Sequence, residues 1–144
     1  MADNDWTFDV ESKIYTIVKT RLIKSWSSTY PNLLITQEQK LNNEVQLPSL
    51  FIKMLDSPEI GSDLDNLTVN AMLVTFEVKI TIAKDGTNNG LTGLRKLSAS
   101  VLDNFKKLRF NTVTRGEITR ETSDTYTLIA RFRRVIGGNE EINF

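Results

Sequence analysis

Polar and apolar positions alternate most strictly between Thr68 and Ala83, in TVNAMLVTFEVKITIA. Met72, Val74, Phe76, Val78, Ile80 and Ile82 form an unbroken apolar row at period two, whereas the intervening positions turn from Val69, Ala71 and Leu73 to Thr75, Glu77, Lys79 and Thr81. Successive side chains of a strand point to opposite faces, so this pattern predicts a strand with one face buried along its whole length. At about 3.4 Å per residue it would reach roughly 50 Å, well past the common strand length. Such a strand is expected to outrun its own core or to be covered from outside.

The flanking segments read by the same rule. From Thr7 to Ser27, Val10, Ile14, Ile17, Val18, Leu22 and Trp26 recur at helical spacing, with Thr7 as the expected N-cap and Asp9 and Glu11 in the first turn. Pro31 ends that helix. Asn32–Gln37 reads as a short strand, Glu38–Gln46 as a polar loop, and the apolar run Leu50–Leu55 as a strand buried on both faces. An acidic loop, DSPEIGSDLDN, leads into the long strand. After it, Asp85-Gly86 and Asn89-Gly90 mark a turn, and Leu91, Leu94, Leu97/Ser98, Val101, Phe105 and Leu108 form the stripe of a second helix over Leu91–Leu108. Thr112–Glu121 and Thr125–Ile136 form a hairpin. Residues 1–6 and 137–144 are expected to be flexible tails of one domain spanning 1–144. The expected class is α+β, two helices packed on a mainly antiparallel sheet with one over-long central strand.

The hairpin register can be argued from the pattern. A loop over Thr122–Asp124 sets Tyr126, Leu128, Ala130 and Phe132 against Arg120, Ile118, Gly116 and Thr114, and leaves a shallow spot at Gly116 where a helix can lie close. The opposite face then sets Arg115 against Arg131, an unfavourable like-charge pair that calls for an acid nearby. Glu117, diagonal to Arg131 and Arg133, is one candidate; an acid from elsewhere is the other.

Composition narrows the chemistry. The 144 residues are 40% hydrophobic and 25% charged, ordinary for one globular domain. No run approaches the ~18 apolar residues of a membrane span, and the opening MADNDWTFDV lacks the basic and apolar regions of a secretion signal. Asn66-Leu67-Thr68 therefore matches the glycosylation sequon by chance. The chain has no cysteine and no histidine, which removes thiolate chemistry, the commonest metal ligand and the side chain best suited to proton transfer near neutral pH. No Gly-x-Ser-x-Gly, Ser-x-x-Lys or phosphate-cradling glycine motif occurs. Asp63 and Asp65 read as solvated surface rather than a tuned acid pair, and the spacing over Asp56–Asp65 fits no known calcium loop. No catalytic activity, metal or cofactor is expected.

Charge is segregated although the net is zero. Residues 1–90 carry 8 Lys/Arg and 12 Asp/Glu, and residues 91–136 carry 10 and 4. Asp56, Glu59, Asp63 and Asp65 share a stretch with no base, while Lys106, Lys107, Arg109, Arg115, Arg120, Arg131, Arg133 and Arg134 crowd the later third. Such clusters suit phosphate, but a neutral chain without interleaved exposed aromatics favours a solvated sheet face or a subunit interface. The acidic stretch Asp56–Asp65 is expected to meet Arg115, Arg131 and Arg133 of a neighbouring copy.

The order of elements resembles that of the tail terminator proteins of tailed bacteriophages and related phage-tail-like particles. The likeness is carried by PSLFIKMLDSPEIGSDLDNLTVNAMLVTFEVKITI, a short strand, acidic connection and long strand after the first helix, and by GLTGLRKLSASVLDNFKKLRF as the second helix. With the hairpin it covers nearly the whole chain, as topology and texture rather than a ligand motif. It implies a structural protein that forms a homo-oligomeric ring, usually a hexamer, which caps the tail tube and ends its polymerisation. The implied partners are tail-tube protein and a head-side connector or sheath protein, without membrane. The implied location is the virion or particle, assembled in the host bacterial cytoplasm. Neck and minor capsid proteins of the same particles look similar, so the alternative is a head-tail joining protein that contacts DNA; a small-molecule binding domain is a third reading.

Overall fold

The computed structural model describes residues 5–37, 46–62 and 69–138. In chain order the elements are α1 (Trp6–Trp26), β1 (Leu34–Thr36), β2 (Ser49–Met54), β3 (Glu59–Ser62), β4 (Val69–Ala83), α2 (Gly90–Lys107), β5 (Asn111–Glu121) and β6 (Thr125–Gly137). The strands form one sheet in the order β1-β2-β4-β6-β5, with β3 also on β4. Every pairing is antiparallel except β1 with β2. This is the α+β class read from the sequence. No described helix is long and apolar enough to cross a membrane.

β4 organises the sheet. β6 pairs with it from Ala71 to Ala83, while β2 and then β3 share its other edge. Leu55 N–H donates to Thr75 O at 2.8 Å and Leu73 N–H to Pro58 O at 2.9 Å, carrying the ladder across the break between β2 and β3. Both helices lie on the face of Met72, Val74, Phe76, Val78, Ile80 and Ile82, all six of which are buried. The strand therefore does not outrun the core on this face, because α1 reaches the far end of the sheet, where Gly138 packs against the indole of Trp6.

Under α2 the core is aromatic. The Phe105 ring stacks on Phe132 at 4.5 Å, meets Phe110 edge-on at 5.3 Å and lies tilted against Phe76 at 5.7 Å, which joins α2 to β4 and β6. Polar ties fix α1 and the segment after it: Tyr15 Oη donates to Ile35 O at 3.1 Å, Trp26 Nε1 to Ser100 Oγ at 2.9 Å, and Tyr30 Oη to Asn88 O at 2.5 Å. Burial pushes the Tyr30 phenol above its ordinary pKa.

Several expectations are corrected. Helix α1 starts at Trp6 after Asp5, with no side-chain cap, so Thr7 is not its N-cap, and Gly137 belongs to β6 rather than to a tail. β2 is buried on one face only, through Leu50 and Ile52, because among the described residues no layer covers Phe51 and Lys53. Glu59–Ser62, placed in the acidic loop, is strand, since β4 extends beyond β2 and offers it a free edge. Leu91 stays 38% exposed; Gly93 and Leu94 face the core at that turn. The polar stretch 38–45 and residues 63–68 lie outside the described residues.

The hairpin register holds only in its middle, at Glu117↔Ile129 and Ile118↔Leu128. Irregularities on either side shift the rest, so Thr112 rather than Thr114 faces Phe132, and Thr114 rather than Arg115 faces Arg131. The helix does approach at Gly116, whose φ is +151°. A Cβ there would stand 3.0 Å from Leu128 Cδ2 and 3.1 Å from Ser98 Oγ on α2.

Candidate interaction surface

The second face of the sheet carries no covering layer among the described residues. Its central row is Lys53, Glu77, Arg131 and Thr114, brought into line by the registers of β2, β4, β6 and β5. Arg131 Nε donates to Glu77 Oε2 at 2.9 Å, and Lys53 Nζ lies 3.9 Å from Glu77 Oε1. Flanked on both sides, Glu77 is only 8% exposed although no layer covers it among the described residues. Because both cations are nearly half exposed, the pairs over this buried carboxylate are modest in strength, about 1 kcal/mol. The acid beside Arg131 is thus Glu77 of its own chain rather than Glu117.

The next row runs Leu55, Thr75, Arg133 and Asn111, and the one beyond pairs Leu73 with Val135, which is 49% exposed. On the other side of the centre, Lys79 lies between Phe51 and Ile129, and Thr81 Oγ1 and Thr127 Oγ1 share a hydrogen bond at 3.2 Å. The surface is therefore mixed: short apolar steps between charged rows, a texture suited to a partner of similar mixed character.

The sequence-derived residues fall into separate places. Arg131 and Arg133 share this face; Arg115 lies exposed in the irregular part of β5 and has no ion-pair partner among the described residues. Asp56 and Glu59 are exposed on the β2–β3 side, across β4 from the arginines, and the structure does not bring them together within the chain. Asp63 and Asp65 lie outside the described residues. One motive for expecting a neighbour's acid at the arginine pair therefore falls away, because Arg115 and Arg131 are not opposed and Arg131 is already paired.

Two features escaped the sequence reading. Glu77 was visible as the one acid in the polar half of β4, but its meeting with Arg131 depends on a register between strands far apart in the chain. The other is the end of α2. Phe110 N–H donates to Phe105 O and Arg109 N–H to Lys106 O, both at 2.9 Å, and Arg109 has φ +65°. That is a Schellman motif, with Phe110 packed on Phe105, and its left-handed position usually holds glycine. Arginine there costs about 1 kcal/mol of backbone strain. Among the described residues, no group of three or more Asp and Glu side chains is placed to hold a metal ion.

Comparison with models of known protein families gives no match, and comparison with curated proteins gives none either.

Proposed function

We propose that this protein is a structural assembly subunit, a ring-forming cap of the tail tube in a phage or phage-tail-like particle. The observation that supports the reading best is the one-sided sheet. The 15-residue strand β4 is buried from Met72 to Ile82 on its helical face, and its other face carries charged rows with no covering layer among the described residues. A sheet of that kind presents a broad, rigid surface to other protein subunits. The order of elements adds the likeness to tail terminators, and with it tail-tube protein and a head-side connector or sheath protein as partners.

Light scattering of the protein alone and with tail-tube protein tests the reading. The expected result is a ring-sized oligomer that binds tubes and stops their growth in vitro. A strict monomer that neither joins tubes nor alters their length overturns it. A head-tail joining protein that contacts DNA is the second reading, favoured by the exposed bases at the end of α2; retention on DNA that weakens steeply with salt would select it.

A further inference from the structure

Two oppositely charged corners sit at the two edges of one row of the sheet. The row Leu55, Thr75, Arg133, Asn111 crosses β2, β4, β6 and β5, a span of about 14 Å at the usual strand spacing. Asp56 follows Leu55 at one edge, and Arg109 and Phe110 precede Asn111 at the other. The corners thus lie at the same level and face outward in opposite directions.

On the acidic side, Asp56 and Glu59 are exposed, and Glu11 of α1 is anchored there by the Met54 N–H, which donates to its Oε2 at 2.8 Å. None of the three carboxylates has an ion-pair partner among the described residues, and the nearby Lys53 is turned to Glu77. On the basic side, Lys106, Lys107, Arg109 and Arg133 are exposed, and Arg134 Nη1 donates to Leu108 O at 2.8 Å. Asp103 is the one acid between Leu91 and Gly116.

The helix dipole accounts for lysines in the last turn of α2. It does not account for Arg109, which occupies a left-handed position where glycine is the unstrained choice. A residue kept against its local conformational preference points to a use for its side chain. That observation is independent of the charge count and singles out the same corner.

We infer that a second copy of this chain seats its Glu11/Asp56/Glu59 edge against the Lys106/Lys107/Arg109 corner of the first. The contact is head-to-tail, because each corner repels its own kind, so copies add in one sense and every added copy leaves one corner of each sign free. The inference rests on the assembly reading for self-association alone and needs no tail tube.

The test uses two variants of the full chain, one carrying Lys107→Glu and Arg109→Glu, the other Asp56→Lys and Glu59→Lys, followed by sedimentation at low and high salt. The wild type is expected to associate, less so as salt rises. Each variant alone is expected to associate roughly tenfold more weakly or worse, the combined effect of several rim pairs. An equal mixture is expected to recover association, since the acidic edge of the first variant meets the basic corner of the second, and the two reversed corners also match. If a reversal unfolds the chain, the neutral set Lys107→Gln, Arg109→Gln, Asp56→Asn and Glu59→Gln replaces it, with partial loss as the expected result. Wild-type association unchanged in both variants overturns the inference while leaving the assembly reading in place. So does weakened association that the mixture fails to restore, or a basic-corner variant that loses only DNA retention. A wild type that stays monomeric at low salt overturns both.

Discussion

The two faces of β4 share one backbone and differ in what limits their exposure. On the even face, Met72 through Ile82 are buried because α1 and α2 lie on them. On the odd face Glu77 is nearly as hidden, yet among the described residues no helix or strand lies above it. Its shield is lateral: Lys53 and Arg131 lean over it from the neighbouring strands. Burial beneath a layer excludes water from apolar surface, whereas burial between neighbours on an open sheet leaves the charged ends wet. The first kind should carry the stability of the fold, and the second should leave a surface free for recognition.

Substitutions along the sheet sharpen or break this contrast. Phe76→Ala, which removes a ring that touches Phe105 and Phe110, should cost roughly 3–5 kcal/mol in urea unfolding. A melting temperature equal to that of the wild type would assign the core to the wrong face. At the seam between the layers, Gly116→Ala should cost about 2 kcal/mol, from the strain of a side chain at φ +151° and from contact with Leu128 and Ser98. A neutral outcome there would mean that β5 moves freely away from α2.

On the open face the effects shrink. Glu77→Gln should lower stability by about 1 kcal/mol, and a double-mutant cycle with Arg131→Gln should return coupling of about that size. Additive single effects would place Arg131 in solvent rather than on Glu77. One position along the same face, Lys79→Ala should stay within about 0.5 kcal/mol of the wild type, as for an ordinary surface change. Arg109→Gly should stabilise by about 0.5 kcal/mol, the relief of left-handed strain less the extra freedom of glycine in the unfolded chain. Destabilisation instead would show that the Arg109 side chain supports the fold.

Much of this was legible from residue types. The six apolar positions of β4 gave its buried face, and the spacing of Leu94, Leu97, Val101 and Phe105 gave the buried stripe of α2. Both depend on neighbours a few residues apart, which a periodicity records directly. Glu59–Ser62 reads as part of the acidic loop because a four-residue strand has little pattern of its own and exists only where the far half of β4 offers a free edge. The hairpin failed at its ends for a related reason. Alternation favours an unbroken register, while the observed one bends through irregularities around Gly116 as α2 comes close.

By itself, then, the sequence determined the α+β class, the places of both helices and most of the strands, and which face of β4 is apolar. These follow from local spacing and the cost of leaving apolar side chains in water. Only the tertiary structure decided that Glu77 neutralises Arg131, that Thr114 rather than Arg115 stands opposite Arg131, and that Asp56 and Arg109 mark opposite edges of one row. Each of those facts is a meeting of segments distant along the chain, set by strand order and register. Charge, unlike apolar periodicity, carries no mark in the sequence of which distant partner it will find.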